Sequence, residues 1–496
     1  MLTAPQLLYC GGETVLPPQL LSDIRLDGIL SPQALCFLQK PCGGDEILRR
    51  QELFGLVEDE KVLGRLKICL SNLLKLERSL MLWHSEKVPL NSYYLYRDVL
   101  SDYVNVCVSL SAFEDCGQSL SEVSEYFLSD ERRRFFSEIK TDLGRISELL
   151  GKINSGLLSF SSKNWITPDR GAVIESDKIA SVAQKLGFTV PVRKKSDTKP
   201  DISFSDAVCR LYFAEIREIE SIFRKYALVD FNEPTGYIPQ IRFILEIYEL
   251  TRKAEKIGVP HCIAEISPVP GYFAADVYDI SLMAKECERI IPNDVDFTET
   301  NRFFFLTGAN GGGKTTYLRA VGINLILFLA GCPVFAKRAS IYRFDFAASH
   351  FPKDERFDGV GRLDEELRRS FGMLSASENK TAFLLFNETF SGTDERRGFE
   401  LVKNISENIR AAGHFCLYVT HFHEVINLDF PVLISEVCPE DGNRRTFKIV
   451  RSKSAVASYA YDILRKYRLD KDSLTERRKN RENKSAQFKS DRHEVK

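Results

Sequence analysis

A chain of 496 residues is too long for one hydrophobic core, so its length predicts two or three domains. With 44% apolar and 28% charged residues, the composition excludes a wholly disordered or fibrous chain. The formal net charge of −1 excludes a chain-wide basic field as the means of attracting nucleic acid.

Residues Met1–Gly12 lack the basic region and apolar run of an export signal, which predicts a cytoplasmic protein. The twelve cysteines are scattered without a CxxC pair and are read as free, mostly buried thiols. From about Leu20 to Val259 the periodicity is mainly helical. Phe136, Ile139, Leu143, Ile146 and Leu150 recur every three or four residues and predict one amphipathic helix. Val208, Tyr212, Ile216, Ile219, Phe223 and Tyr226 predict a second, capped by Ser205 or Asp206. Lys194–Asp201 is polar and proline-containing and predicts a loop. Three prolines and a glycine between Pro260 and Gly271 end the helical pattern, and strands then alternate with helices. The expected organisation is a mainly helical domain over 1–270 and an α/β domain with a parallel-sheet core over 271–470. A charged tail follows over 471–496, where nine Lys or Arg against five Asp or Glu predict no packed structure. The apolar stretch Ile323–Ala330 is well short of the roughly 20 residues that cross a bilayer, so no membrane segment is expected.

The strand-like run Phe303–Thr307 feeds into Gly308, Ala309, Asn310, Gly311, Gly312, Gly313, Lys314, Thr315 and Thr316, and then into an apolar helix. In such a phosphate-binding loop, glycines turn successive backbone N–H groups toward phosphates, and the helix N-terminus adds its positive dipole end. Lys314 is expected to reach the β- and γ-phosphates of ATP, and the Thr315 hydroxyl to ligate Mg²⁺. A second buried run, Phe383–Phe386, ends in Asn387 and Glu388. Asn387 stands where aspartate is usual; its carbonyl oxygen can meet magnesium or a magnesium-bound water, but it brings no charge, which predicts weaker magnesium affinity. Glu388 is expected to orient or deprotonate the attacking water, and it stands with Thr315 and Asn387 among the candidate magnesium residues. A third run, Cys416–Val419, ends in Thr420-His421, and His421 is the candidate sensor of the γ-phosphate or the water.

In order along the chain, Ile291-Pro-Asn-Asp294, the loop Gly308–Arg319, Gly331-Cys-Pro-Val-Phe-Ala336, Asn387-Glu-Thr-Phe-Ser-Gly-Thr-Asp394, Thr420-His-Phe-His-Glu424 and Ser458-Tyr459-Ala460 resemble the ATPase domain of the MutS family of DNA mismatch-repair clamps. Roughly seventy residues separate Lys314 from Asn387, too few for the insertion and adjacent LSGGQ stretch of transporter-type relatives. Asp23-Ile-Arg-Leu-Asp27 and Ile47-Leu-Arg-Arg-Gln51 are similar to traces of the family's helical core and lever region. The resemblance implies a P-loop NTPase of ABC-like type preceded by a helical core/lever domain, a homodimer with composite ATP sites, and closure on DNA. Gly361-Arg-Leu-Asp-Glu-Glu-Leu367 occupies the place of the stretch that reaches the partner's nucleotide in that family. The serine expected there is absent, which leaves backbone N–H groups near Gly361 for that contact. No counterpart of the family's mismatch-reading domain or its Phe-x-Glu wedge is found, so the resemblance does not extend to mispair recognition. The alternative reading is a nucleotide-gated binding scaffold with very slow or no hydrolysis and with protein rather than DNA partners.

Overall fold

The computed structural model describes residues 4–8, 14–114, 116–159, 166–167, 171–172, 202–285, 290–352, 362–438 and 445–451. Its helices are α1 (Pro18–Asp23), α2 (Pro32–Leu38), α3 (Gly44–Leu56), α4 (Glu60–Ser85), α5 (Pro89–Leu110), α6 (Gly117–Leu128), α7 (Asp130–Ser159), α8 (Ile202–Leu211), α9 (Phe213–Lys225), α10 (Tyr237–Lys256), α11 (Lys314–Leu329), α12 (Arg362–Ala376) and α13 (Glu395–Ala411). Its strands are β1 (Ile166–Thr167), β2 (Gly171–Ala172), β3 (Glu265–Ser267), β4 (Tyr272–Val277), β5 (Asn293–Phe297), β6 (Phe303–Gly308), β7 (Arg338–Tyr342), β8 (Phe346–His350), β9 (Ala382–Asn387), β10 (Phe415–Val419), β11 (Val432–Val437) and β12 (Arg445–Arg451). Among the described residues no helix is long and apolar enough to cross a membrane. Lys194–Asp201, Gly361, Ser458–Ala460 and the 471–496 tail lie outside the described residues.

The chain divides into two units, one of Met1–Tyr9 with Glu52–Leu245 and one of Cys10–Gln51 with Glu246–Lys496. The helical unit is built on amphipathic stripes. Leu66, Cys69, Leu73, Leu76 and Leu80 line the buried face of α4, which packs on α5 through a face that includes Val99, Leu100 and Tyr103. Ile139, Ile146 and Leu150 are buried on α7, with Phe136 and Leu143 at its margin, as one 3.6-residue stripe requires. The run from Val208 to Tyr226 forms two helices where the periodicity predicts one. Tyr212, at φ −106 and ψ 41, leaves the helical region and separates α8 from α9. Neither Ser205 nor Asp206 caps α8, which starts earlier, at Ile202. The buried Ser205 hydroxyl instead accepts from the Leu90 backbone N–H at 2.9 Å, satisfying an open donor in the first turn of α5.

The α/β unit holds two sheets. One has the order β12-β11-β6-β10-β9-β8, all neighbours parallel except the antiparallel edge pair β11 and β12. The other has the order β3-β7-β4-β5 and mixes parallel and antiparallel pairs. Helix α11 is apolar nearly all round, as a helix buried on every side must be. It packs on β6, β9 and β10 of the first sheet and on β4 of the second.

Residues 10–51 group with this α/β unit, whereas the sequence expectation places one boundary near Gly271. Their hydrogen bonds explain the grouping. The Cys42 N–H donates to Leu329 O at 2.8 Å, the Arg50 guanidinium to Ala330 O at 3.0 Å, and the Gln51 amide to Ala264 O at 2.7 Å. Arg50 is 1% exposed and also pairs with Glu46. Asp23, at the end of α1, accepts from the Ser349 hydroxyl and from Arg369, both at 2.7 Å, tying α1 to β8 and α12.

Candidate functional site

The sheet aligns three strand ends side by side. β10 pairs in parallel with β6 on one side and with β9 on the other, so Gly308, Asn387 and Thr420 emerge at one sheet edge. Every residue of β6, β9 and β10 is buried, so the chain must turn where they end, and the turns carry the polar residues.

β6 enters the loop through Gly308 at φ +119, a conformation that L side chains rarely adopt. A Cβ there would lie 2.5 Å from Ser435 Oγ, so β11 leaves room for glycine only. The loop closes on itself through Gly312 N–H to Ala309 O at 3.1 Å. Gly313 caps α11 in the left-handed region and offers no side chain to its first-turn N–H groups.

Lys314 is 4% exposed, and its Nζ donates to Gly308 O at 2.9 Å, Ala309 O at 3.2 Å and Asn310 Oδ1 at 3.3 Å. Its ammonium lies 4.0 Å from Glu388 Oε1. Burial pushes the Lys314 pKa down from its ordinary value; the Glu388 carboxylate acts against this, and Arg445 adds to it. The Thr315 hydroxyl donates to Asn387 Oδ1 at 3.2 Å, so two of the three candidate magnesium residues meet across α11 and β9.

Glu388 has φ +49, and its N–H donates to Val419 O at 2.8 Å. Phe390, at φ +61, is held by its N–H donating to the buried carboxylate Glu366 Oε2 at 2.6 Å. Two left-handed non-glycine residues this close together mark a turn held in place by its surroundings. Burial pushes the His421 pKa down, against the raising effect of Glu388 and Glu395. His421 follows Thr420 at the end of β10, two residues beyond Val419, whose carbonyl accepts the Glu388 N–H.

These positions bring together Gly308–Thr316, Asn387, Glu388 and His421. The oxygen donors of Thr315 and Asn387 suit a hard cation, although they are neutral. No group of three or more His, Cys, Asp or Glu able to hold a metal occurs among the described residues. The sequence reading missed several contributors. Asn293 donates to Phe447 O at 3.0 Å and accepts from the Ile449 N–H at 2.7 Å, fastening β12 beside the loop. The partly exposed ring of Phe447 stands at Gly313. Glu366 and Ser435 reach the site from distant elements; the sequence signalled Asn293 only through the Ile291–Asp294 motif and Glu366 only within the Gly361–Leu367 stretch, where a different role was expected.

Residues 304–450 match MutS domain V. The chain is 35% identical over 138 residues to the DNA mismatch repair protein Msh2 of Dictyostelium discoideum, covering 27% of this chain and 15% of that protein. It is 24% identical over 427 residues to the endonuclease MutS2 of Lactococcus lactis subsp. cremoris, covering 82% of this chain and 51% of that protein. It is 27% identical over 207 residues to the DNA mismatch repair protein MutS of Bacillus licheniformis, covering 39% and 23%. The chain thus spans about half or less of the length of these relatives.

Proposed function

We propose that this chain, which belongs to the MutS family, binds ATP with Mg²⁺ on the loop Gly308–Thr316, hydrolyses it, and couples its nucleotide state to holding DNA or a DNA structure. The observation that carries the nucleotide reading is one strand–loop–helix cradle. Its lysine lies 4.0 Å from the carboxylate of Glu388, and its threonine is hydrogen-bonded to Asn387 at the end of the neighbouring strand. In this P-loop reading, the backbone N–H groups of the loop and the start of α11 bind the phosphates. Lys314 reaches the β- and γ-phosphates, Glu388 accepts a proton from the attacking water, and His421 orients that water or the γ-phosphate. Thr315 and Asn387 hold Mg²⁺, which supplies charge neutralisation at the phosphates. The DNA, the homodimer with composite sites and the cytoplasmic setting are drawn from the family.

The test is ATP turnover by the purified protein with and without duplex, mismatched, branched and single-stranded DNA, with Glu388→Ala as control. Turnover that is lost in the variant and changed by one DNA form supports the reading. Turnover that persists in Glu388→Ala, or that no DNA alters, counts against it.

One observation favours a second reading. Asn387 brings no negative charge to the cation, so ATP in this site would act as a conformational ligand with slow hydrolysis, gating a scaffold for protein partners. Asn387→Asp separates the two readings: a large gain in turnover identifies a natural brake, and no gain removes it.

A further inference from the structure

We propose that Glu366 is a positioning residue for the hydrolysis: its buried carboxylate, standing on α12, fixes the left-handed turn at 388–390 and so keeps the Glu388 carboxylate aimed at Lys314 and the phosphate loop. This rests on the nucleotide reading of the same site, with Glu388 as the base.

Glu388 and Phe390 are both left-handed, at φ +49 and +61, and neither is glycine. An L side chain strains the backbone there, so each residue returns to the ordinary region unless its surroundings hold it. Bonds hold all three residues of the turn. The Glu388 N–H donates to Val419 O at 2.8 Å, the Thr389 hydroxyl meets the Tyr418 hydroxyl, and the Phe390 N–H donates to Glu366 Oε2 at 2.6 Å. The first two anchors belong to β10, the neighbouring strand, and the third comes from outside the sheet, on α12.

Glu366 is itself a fixed post. It is 6% exposed and lies in the second turn of α12. One turn further on, Arg369 donates to Ser349 O and Phe351 O, both at 3.0 Å, and the Ser370 hydroxyl lies 3.0 Å from His350 Nδ1. These bonds fasten the same stretch of α12 to the end of β8, so the acceptor stays in place and the turn must meet it. Phe390 is 1% exposed. Without the carboxylate its N–H is a buried donor that has lost its acceptor, which is costly. The relief is a rotation of the peptide between Thr389 and Phe390 with release of the left-handed φ. Glu388 is one residue away, and its side chain is 36% exposed, so the backbone rather than packing sets where its carboxylate points.

The experiment compares Glu366→Gln and Glu366→Met in the full chain, with Glu388→Ala as control. Glutamine keeps an acceptor oxygen at the same reach, whereas methionine keeps the length and offers only a weak acceptor. The readouts are amide hydrogen exchange of residues 387–391 without nucleotide, equilibrium binding of Mg·ATP, and kcat for ATP. Glu366→Met is expected to speed the exchange and to lower kcat roughly 100-fold, the effect of a displacement of about 1 Å at a reacting group. It should leave Mg·ATP affinity at the parent value, because the loop and Lys314 are untouched. Glu366→Gln should stay close to the parent in all three readouts. Unchanged exchange or kcat in Glu366→Met, or a glutamine variant as impaired as the methionine one, overturns the proposal alone. So does an affinity that falls together with kcat, the mark of a site that has come apart. Should Glu366→Met not fold, Glu366→Asp, one carbon too short to reach Phe390, carries the same expectation. Parent turnover that is absent, or that survives in Glu388→Ala, overturns the site reading and the proposal together.

Discussion

At Asn387 an amide replaces a charge while the contact with Thr315 is kept, at 3.2 Å. On the proposed reading, the site would offer oxygen donors to magnesium but attract it less than a carboxylate would. Asn387→Asp is expected to lower the magnesium concentration for half-maximal nucleotide binding by about tenfold, near 1.4 kcal/mol, and a magnesium titration at fixed ATP reads it. An unchanged midpoint would mean that the phosphates and Thr315 hold the cation unaided. Protonation offers a second test at this scale. Burial pushes the pKa of His261, His414 and His421 below the ordinary value of 6.5. Each is thus harder to protonate folded than unfolded, so its contribution is fully present above 6.5 and is lost as the pH falls through the folded value. Thermal midpoints should be level above that pH and decline below it, and His414→Gln should make the decline shallower. The convergence of the loop with Asn387 and Glu388 was legible because each lies in a short run at a strand end. Ser435 was not, because a serine in a strand has no pattern until β11 pairs with β6 and sets it against Gly308.

Single elements show where periodicity stops being informative. It places the buried stripe of α7 correctly, yet reads α8 and α9 as one helix, because the stripe continues in phase past Tyr212 while the backbone leaves the helical region. Ser205 looks like a cap for its own helix but serves α5. Ser205→Ala should cost about 1 kcal/mol of stability, measured by urea unfolding, with nucleotide binding unchanged. Were the loss absent, the Leu90 N–H would have another acceptor. At the other end of the chain, Asp23 holds Arg369 and Ser349. Asp23→Ala should cost about 1.5–3 kcal/mol, because it strands a partly buried guanidinium. The sequence marked Asp23–Asp27 and Ile47–Gln51 only by resemblance, since bonds from Arg50 and Gln51 to carbonyls over 200 residues away leave no local trace.

For the whole molecule, length and the change from helical to alternating patterns predicted a helical part and an α/β part. The return of residues 10–51 to the α/β unit depends on tertiary packing that periodicity does not report. A net charge of −1 means that any DNA affinity must come from a local basic surface. If DNA is the partner, its affinity should fall steeply as salt is raised from 50 to 200 mM, whereas binding absent even at low salt would favour the protein scaffold. Both readings begin with nucleotide on Gly308–Thr316, so the most direct measurement is equilibrium binding of Mg·ATP to the parent and to Lys314→Ala. Saturable binding to the parent, weakened at least about tenfold, or 1.4 kcal/mol, in the variant is the predicted result. Absent binding, or equal binding by the two proteins, would contradict it.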